Sequence, residues 1–151
     1  MAFTIENAAY TNQALMVFLN LLRGGVSASE YSPTFIDIGI GGNFLNGSDQ
    51  HHRVPPDPTE IEIRTRIFRA RVVGTRIISD TEIAYTAMIE PHECINSGIN
   101  EMALVTSNNT MISHWIAPAI GGDPANECIT ISKSGYVYFF IEWKVKLSVK
   151  V

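Results

Sequence analysis

With 151 residues, 46% of them hydrophobic, and a mean hydropathy of +0.10, the chain is long enough for one well-buried core and too short to count on two. A formal net charge of −4, with no cluster of Lys and Arg interleaved with aromatics, argues against a nucleic-acid partner. The apolar run Ala14 to Leu22 is broken by Asn20 and far short of a membrane span, and the opening MAFTIEN carries Glu6 and no positive charge, which speaks against a secretory signal.

The first predicted element is a helix over approximately Asn7 to Arg23, stopped by Gly24-Gly25. Tyr10, Ala14, Val17 and Leu21 form one apolar stripe and Leu15, Phe18, Leu19 and Leu22 a second, which leaves a narrow polar strip around Gln13 and Asn20. A surface helix carries one stripe, so a helix this apolar is either sunk between layers or packed against another chain. Since the remainder reads as a self-sufficient β domain, the segment 1–25 is expected to be an oligomer or docking element, with 33–151 forming the β domain.

Phe35 to Ile40 alternates with its three isoleucines on one side and closes at Gly41-Gly42. From Asn43 to Thr59 the composition shifts to Asn, Gly, Ser, Asp, His and Pro, including Pro55-Pro56-Asp57-Pro58, which marks a long exposed loop. Glu60 to Val73 reads as a strand whose apolar phase switches between Ile67 and Phe68, predicting a bulge or a change of exposed face there. Gly74 then leads to a turn, and Glu82 to Ile89 is the next strand, ended by Pro91. Asn100 to Pro118 reads as a hairpin with Asn108-Asn109 at its tip, which pairs Val105 with Ile112, Leu104 with Ser113 and Met102 with Trp115. A strand over Glu127 to Ser132 and a turn at Lys133-Ser134-Gly135 precede the last element.

That last element, Tyr136 to Val151, alternates without a break: Val137, Phe139, Ile141, Trp143, Val145, Leu147, Val149 and Val151 share one face. The other face begins aromatic, at Tyr136, Tyr138 and Phe140, and ends charged, at Lys144, Lys146 and Lys150. Both faces are therefore expected to be buried near Tyr138 and one face wet near Lys146, with Lys144 and Lys146 as candidate contacts to a neighbour. The fold class that follows is mainly β: an antiparallel β-sandwich or flattened barrel of about seven strands preceded by one N-terminal α-helix.

Catalytic and metal constellations are thin. His51-His52 are adjacent and point to opposite sides of an extended chain, so they do not chelate as a pair. His92 and Cys94 share one side of a strand and could join Cys128 and a loop histidine around zinc, but no Cys-x-x-Cys or His-x-x-x-His supports that site. Cys94 and Cys128 could equally make one bridge or none. There is no Gly-x-Ser-x-Gly elbow, and Ser48, Ser97 and Ser134 near glycines sit in turn-like sequence; the glycines at 39, 41 and 42 do not open a helix, which excludes a phosphate-binding loop on context. His51-His52 with Glu60 and Glu62 departs from the His-x-His pair of cupin metal sites. No cofactor or metal is expected, and the reading is of a protein that is not an enzyme.

Four stretches carry a family resemblance: Phe35-Ile36-Asp37-Ile38-Gly39-Ile40-Gly41-Gly42, Pro55-Pro56-Asp57-Pro58-Thr59, Ile67-Phe68-Arg69-Ala70, and the hairpin Ile99-Asn100-Glu101-Met102-Ala103-Leu104 with Asn109-Thr110-Met111-Ile112-Ser113-His114-Trp115. Together they resemble the tail-collar and tail-fibre proteins of tailed bacteriophages, in the amino-terminal domain that attaches a fibre to the baseplate. The resemblance covers roughly Pro33 to Val149 and picks out Glu101, Met102, Leu104, Asn109 and Trp115 as the family-type hairpin. It implies a structural virion protein of the tail, assembled in the bacterial host cytoplasm, that self-associates as a symmetric homo-oligomer, a trimer ahead of other orders, and contacts other tail, baseplate or fibre proteins. Family members usually carry a shaft or receptor-binding tip after this domain, whereas this sequence ends at its last strand, which points to an adaptor, collar or baseplate component. The competing readings are a small-ligand or carbohydrate-binding module that uses the His/Pro loop with Tyr136 or Tyr138, and, behind it, a cupin-like metal enzyme.

Overall fold

The computed structural model describes residues 1–45 and 48–147. Its elements are β1 (Ala2–Ile5), β2 (Ala9–Tyr10), α1 (Asn12–Arg23), β3 (Pro33–Gly39), β4 (Phe44–Leu45), β5 (Ser48–Asp49), β6 (Arg66–Ser79), β7 (Glu82–Ile89), β8 (Glu101–Thr106), β9 (Met111–Ile116) and β10 (Phe139–Lys146). The chain is mainly β with one α-helix among the described residues, as the alternating pattern requires. The strands form one eight-stranded sheet in the order β1-β10-β7-β6-β3-β8-β9-β2, with β4 and β5 as a separate small hairpin.

The sheet is curled, and the chain itself shows why. β1 and β2 lie at opposite ends of the strand order yet are joined only through Glu6, Asn7 and Ala8. Four residue steps from Ile5 to Ala9 reach at most about 14 Å, so the two ends of the sheet must approach one another. Two contacts span the gap: the Phe3 and Trp115 rings meet edge-on at 5.3 Å between centroids, and the Tyr10 hydroxyl donates to the Lys146 carbonyl at 3.1 Å. The expected barrel is thus a single mixed, half-barrel sheet rather than two packed layers. It is not wholly antiparallel, because β1 runs parallel to β10.

One face of the curl holds the core. Ile36 and Ile38 of β3, Ala87 and Ile89 of β7, Met102 and Leu104 of β8, and Phe139, Ile141 and Trp143 of β10 are buried in one cluster with Ile5. The period of two along β10 sets this arrangement, with Phe139 opposite Ile89 and Ile141 opposite Ala87. Burying a side chain of this size contributes about 1.5–3 kcal/mol.

Several boundaries differ from the sequence reading. The helix is neither first nor as long as expected: Asn7 has φ +57°, which ends helical continuity, and Ala9–Tyr10 pair with His114 and Ser113 of β9 instead. The last strand occupies only Phe139–Lys146 of the expected Tyr136 to Val151; Ser148, Val149, Lys150 and Val151 lie outside the described residues. Nor are both faces buried at its start. Tyr136 is 96% exposed and sits in a turn, while Tyr138 and Phe140 are about half exposed, because among the described residues no layer covers the outer face there. The strand expected from Glu60 begins at Arg66 and runs through Gly74 to Ser79. Glu127 to Ser132 forms only isolated bridges, Cys128 with Ala119 and Ile131 with Ile99.

The phase switch between Ile67 and Phe68 is a bulge. Ile38 pairs with Phe68 and Gly39 with Arg66, so Ile67 has no partner on β3 and stands partly exposed. β7 spans the expected Glu82 to Ile89. In the hairpin, Met102 faces Trp115 and Leu104 faces Ser113 as expected, but Val105 faces Met111 across a register shift rather than Ile112.

Candidate functional site

Helix α1 is built as a well-terminated helix. The Thr11 hydroxyl caps it, accepting from the Ala14 N–H at 3.3 Å and donating to the Met111 carbonyl at 2.6 Å. Asn12 N–H donates to the Pro58 carbonyl at 2.7 Å, so the helix start is tied both to β9 and to the proline loop. At the other end Gly24 and Gly25 take φ of +76° and +79°, a region that glycine adopts without steric cost.

The face this helix turns inward carries its polar strip together with two apolar side chains, Ala14 and Val17. Gln13, Ala14, Val17 and Asn20 are half-buried, and Asn20 donates to the Tyr31 hydroxyl at 3.3 Å. The Leu15, Phe18, Leu19 and Leu22 side chains lie on the opposite side, between 55% and 69% exposed, with Met16 beside them at 57%. A surface helix of a monomer keeps its largest apolar side chains inward. Of the residues singled out from sequence, these four leucine and phenylalanine positions share one open surface. Val17 is turned inward, and Tyr10 is not on the helix at all. Tyr10 is in β2, fastened to β10 through Lys146, and burial pushes its phenol up.

Lys144 and Lys146 line a polar hollow with Glu6, Tyr10 and Glu82. The Lys144 ammonium donates to Glu6 Oε1 at 2.8 Å, which raises the lysine and lowers the carboxyl. Lys144 is therefore engaged within the chain, while the Lys146 side chain is exposed.

Four of the hairpin residues singled out from sequence, Glu101, Met102, Leu104 and Asn109, are engaged within the chain. Met102 and Leu104 belong to the core, and Asn109, at φ +67°, accepts from Arg69 Nη2 at 2.7 Å. Arg69 also holds buried Asp37 through two hydrogen bonds of 2.6 and 2.9 Å and lies over the Phe35 ring at 4.7 Å. Glu101 is fully buried. Its carboxylate accepts the N–H groups of Arg64 at 3.0 Å and Thr65 at 3.1 Å, and His114 Nε2 stands 3.3 Å away. His114, itself buried, places Nδ1 at 3.7 Å from Glu60. Glu60 in turn is bridged twice by Arg64, at 2.8 Å each, and Arg64 also donates to the carbonyls of Val54 and Pro55. Burial raises the Glu60 carboxyl, but the Arg64 hydrogen bonds, the Asp57 N–H and the nearby positive charges outweigh it and leave Glu60 below the ordinary glutamate value. This network clamps the proline loop and residues 60–65 onto β8 and β9.

Sequence reasoning missed this clamp. Its signal was the glycines: a Cβ at Gly41 would lie 2.7 Å from the Arg64 Cβ and 2.8 Å from Glu101 Oε1, so only glycine lets the backbone pass the buried carboxylate.

Beside β9 lies a cleft of about 630 Å³, walled by Arg53, Pro55, Pro56, Trp115, Pro118 and Pro124. Arg53 is braced there by the carbonyls of Ala117 and Ile116 at 2.8 and 3.1 Å. His51 is 90% exposed and 3.9 Å from Glu127. Cys94 and Cys128 are free thiols, both pushed up by burial. His92 gathers with Glu90 and Glu93 within 4.8 Å on the surface, rather than with the cysteines.

Searches for likeness to known proteins found no matching family model, no matching curated protein and no matching solved structure. Among the described residues no helix is long and apolar enough to cross a membrane.

Proposed function

We propose that this chain is a structural virion protein of a tailed bacteriophage, an adaptor, collar, baseplate or fibre-attachment component that acts by self-association and by contact with other tail proteins, without catalysis. One observation carries the docking part of this reading: α1 presents Leu15, Phe18, Leu19 and Leu22 to solvent and only Ala14, Val17 and its polar strip to the domain, a pattern expected of a helix completed by another chain. The phage assignment rests on the resemblance of the four stretches around Asp37, Asp57, Arg69 and the Glu101 hairpin. Virion localisation and assembly in the bacterial cytoplasm follow from the same resemblance. Antibodies against the chain should decorate the tails of particles released by cells that carry its gene. Purified tailed particles that lack the chain refute the assignment.

A second reading, a small-ligand or carbohydrate-binding module, draws on the cleft in which Pro55 and Pro56 of the predicted binding loop face Trp115. Tyr136 and Tyr138 do not line this cleft. A sugar that raises the melting temperature, and does so less in Trp115→Ala, would favour this reading.

A further inference from the structure

The geometry points to the cleft beside β9 as a binding site for a carboxylate with a flat, apolar body, an aromatic acid rather than a sugar; this rests on the small-ligand reading of the cleft given above and narrows it. Charge makes the first selection. Arg53 donates through Nε to the Ala117 carbonyl at 2.8 Å and through Nη2 to that of Ile116 at 3.1 Å, which fixes the guanidinium against the end of β9. Among the described residues Nη1 has no hydrogen-bond partner, and no carboxylate forms an ion pair with Arg53. The other charged or titratable side chains on the wall are already matched. Glu6 accepts from Lys144 at 2.8 Å, and His114 stands 3.3 Å from Glu101 and 3.7 Å from Glu60. Arg53 is thus the cation left over, held in place before a ligand arrives, and its planar fork of N–H donors matches a carboxylate.

The scarcity of other hydrogen-bonding groups makes the second selection. Pro55, Pro56, Pro118 and Pro124 line the cleft and bring no N–H donor. A polyhydroxylated ligand seated among them would give up hydrogen bonds to water without replacing them, which is costly. An aromatic body gives up none and gains contact with the prolines and with the Trp115 ring. At about 630 Å³ the cleft has the size of a small-molecule site, about 300–1,000 Å³.

The chain carries two tryptophans, and they separate the cleft from the core: Trp115 is half-buried and lines the cleft, whereas Trp143 is fully buried. The test is an NMR titration of the full chain, read at the two indole N–H signals, with naphthoate, its neutral isostere naphthamide, glucuronate and glucose at up to millimolar concentration. Naphthoate should shift the Trp115 signal, leave Trp143 unmoved, and bind about tenfold or more tightly than naphthamide, as expected of one hydrogen-bonded contact to a charged group. That preference should vanish in Arg53→Gln and survive in Arg53→Lys, which keeps the cation. The ratio of naphthoate to naphthamide affinity is read in the wild-type chain, so a variant that fails to fold does not remove the test. Equal binding of naphthoate and naphthamide overturns the carboxylate assignment and leaves the small-ligand reading standing. Glucuronate or glucose binding more tightly than naphthoate overturns the apolar body and leaves that reading standing as well. A Trp115 signal that none of these compounds moves overturns both.

Discussion

Replacing Glu101 tests how the proline loop is held. The Glu101 carboxylate is fully buried and accepts two backbone N–H groups, those of Arg64 and Thr65, with His114 as a third neighbour. Glu101→Ala leaves both amides buried without an acceptor. An unsatisfied buried donor costs about 1–3 kcal/mol, so the pair, with the void left by the side chain, should destabilise the fold by about 3–5 kcal/mol, a large share of the roughly 5–15 kcal/mol typical of a domain. Glu101→Gln keeps the shape and one acceptor oxygen but turns an NH₂ towards a backbone N–H, and should fall between, at about 1–3 kcal/mol. Urea denaturation followed by tryptophan fluorescence gives both values, and a shift of midpoint at constant slope assigns the change to stability. A loss below about 1 kcal/mol in Glu101→Ala, or Gln as damaging as Ala, would refute the clamp.

Three further outcomes follow from other parts of the molecule. Glu60 is held below the ordinary glutamate value of 4.5, so its contribution is present above that pH and is lost as the pH falls through its lower folded value; urea midpoints should decline over that acid range, and Glu60→Gln should flatten the decline. Gly42→Ala would bring a Cβ to 2.8 Å from the Cys128 sulfur and 2.9 Å from the Asn100 carbonyl and should destabilise by about 1–3 kcal/mol, whereas Gly74→Ala meets nothing within 4 Å and should be neutral or stabilise by up to about 1 kcal/mol in the same melts. Lys146→Glu changes an exposed side chain whose structural tie, to the Tyr10 hydroxyl, runs through the backbone carbonyl; the unfolding free energy should change by less than about 0.5 kcal/mol while assembly mass declines, and an unchanged mass would show that this end of β10 is merely solvated.

What could be read in advance was whatever a period or a turn residue encodes. β7 was legible because Pro91 punctuates it and its apolar residues alternate, and the Ile67 bulge because the phase of the pattern slips by one residue. Interactions whose partners are main-chain groups left no such trace. Lys133 was placed in a turn, yet it is buried, with its ammonium donating to the carbonyls of Pro91 and Ser134 at 2.7 and 3.1 Å; nothing about those two residue types announces an acceptor. Glu101, which binds the amides of Arg64 and Thr65, left only the indirect trace of the glycine at 41 packed against it. For α1 the apolar stripes were plain, but which stripe faces solvent depends on how Thr11 and Asn12 anchor the helix to Met111 and Pro58, contacts made by segments distant in sequence. That orientation turned the helix from a choice between core and contact into the candidate docking element.

The most direct test of that element is amide hydrogen exchange of α1 as a function of protein concentration. If another copy covers the helix, the amides of residues 15–22 should become protected as the concentration rises from sub-micromolar to about 100 µM, while exchange in β7 and β10 stays constant. Exchange in α1 that is the same at every concentration would contradict the account, since the leucine face would then have no second copy to cover it.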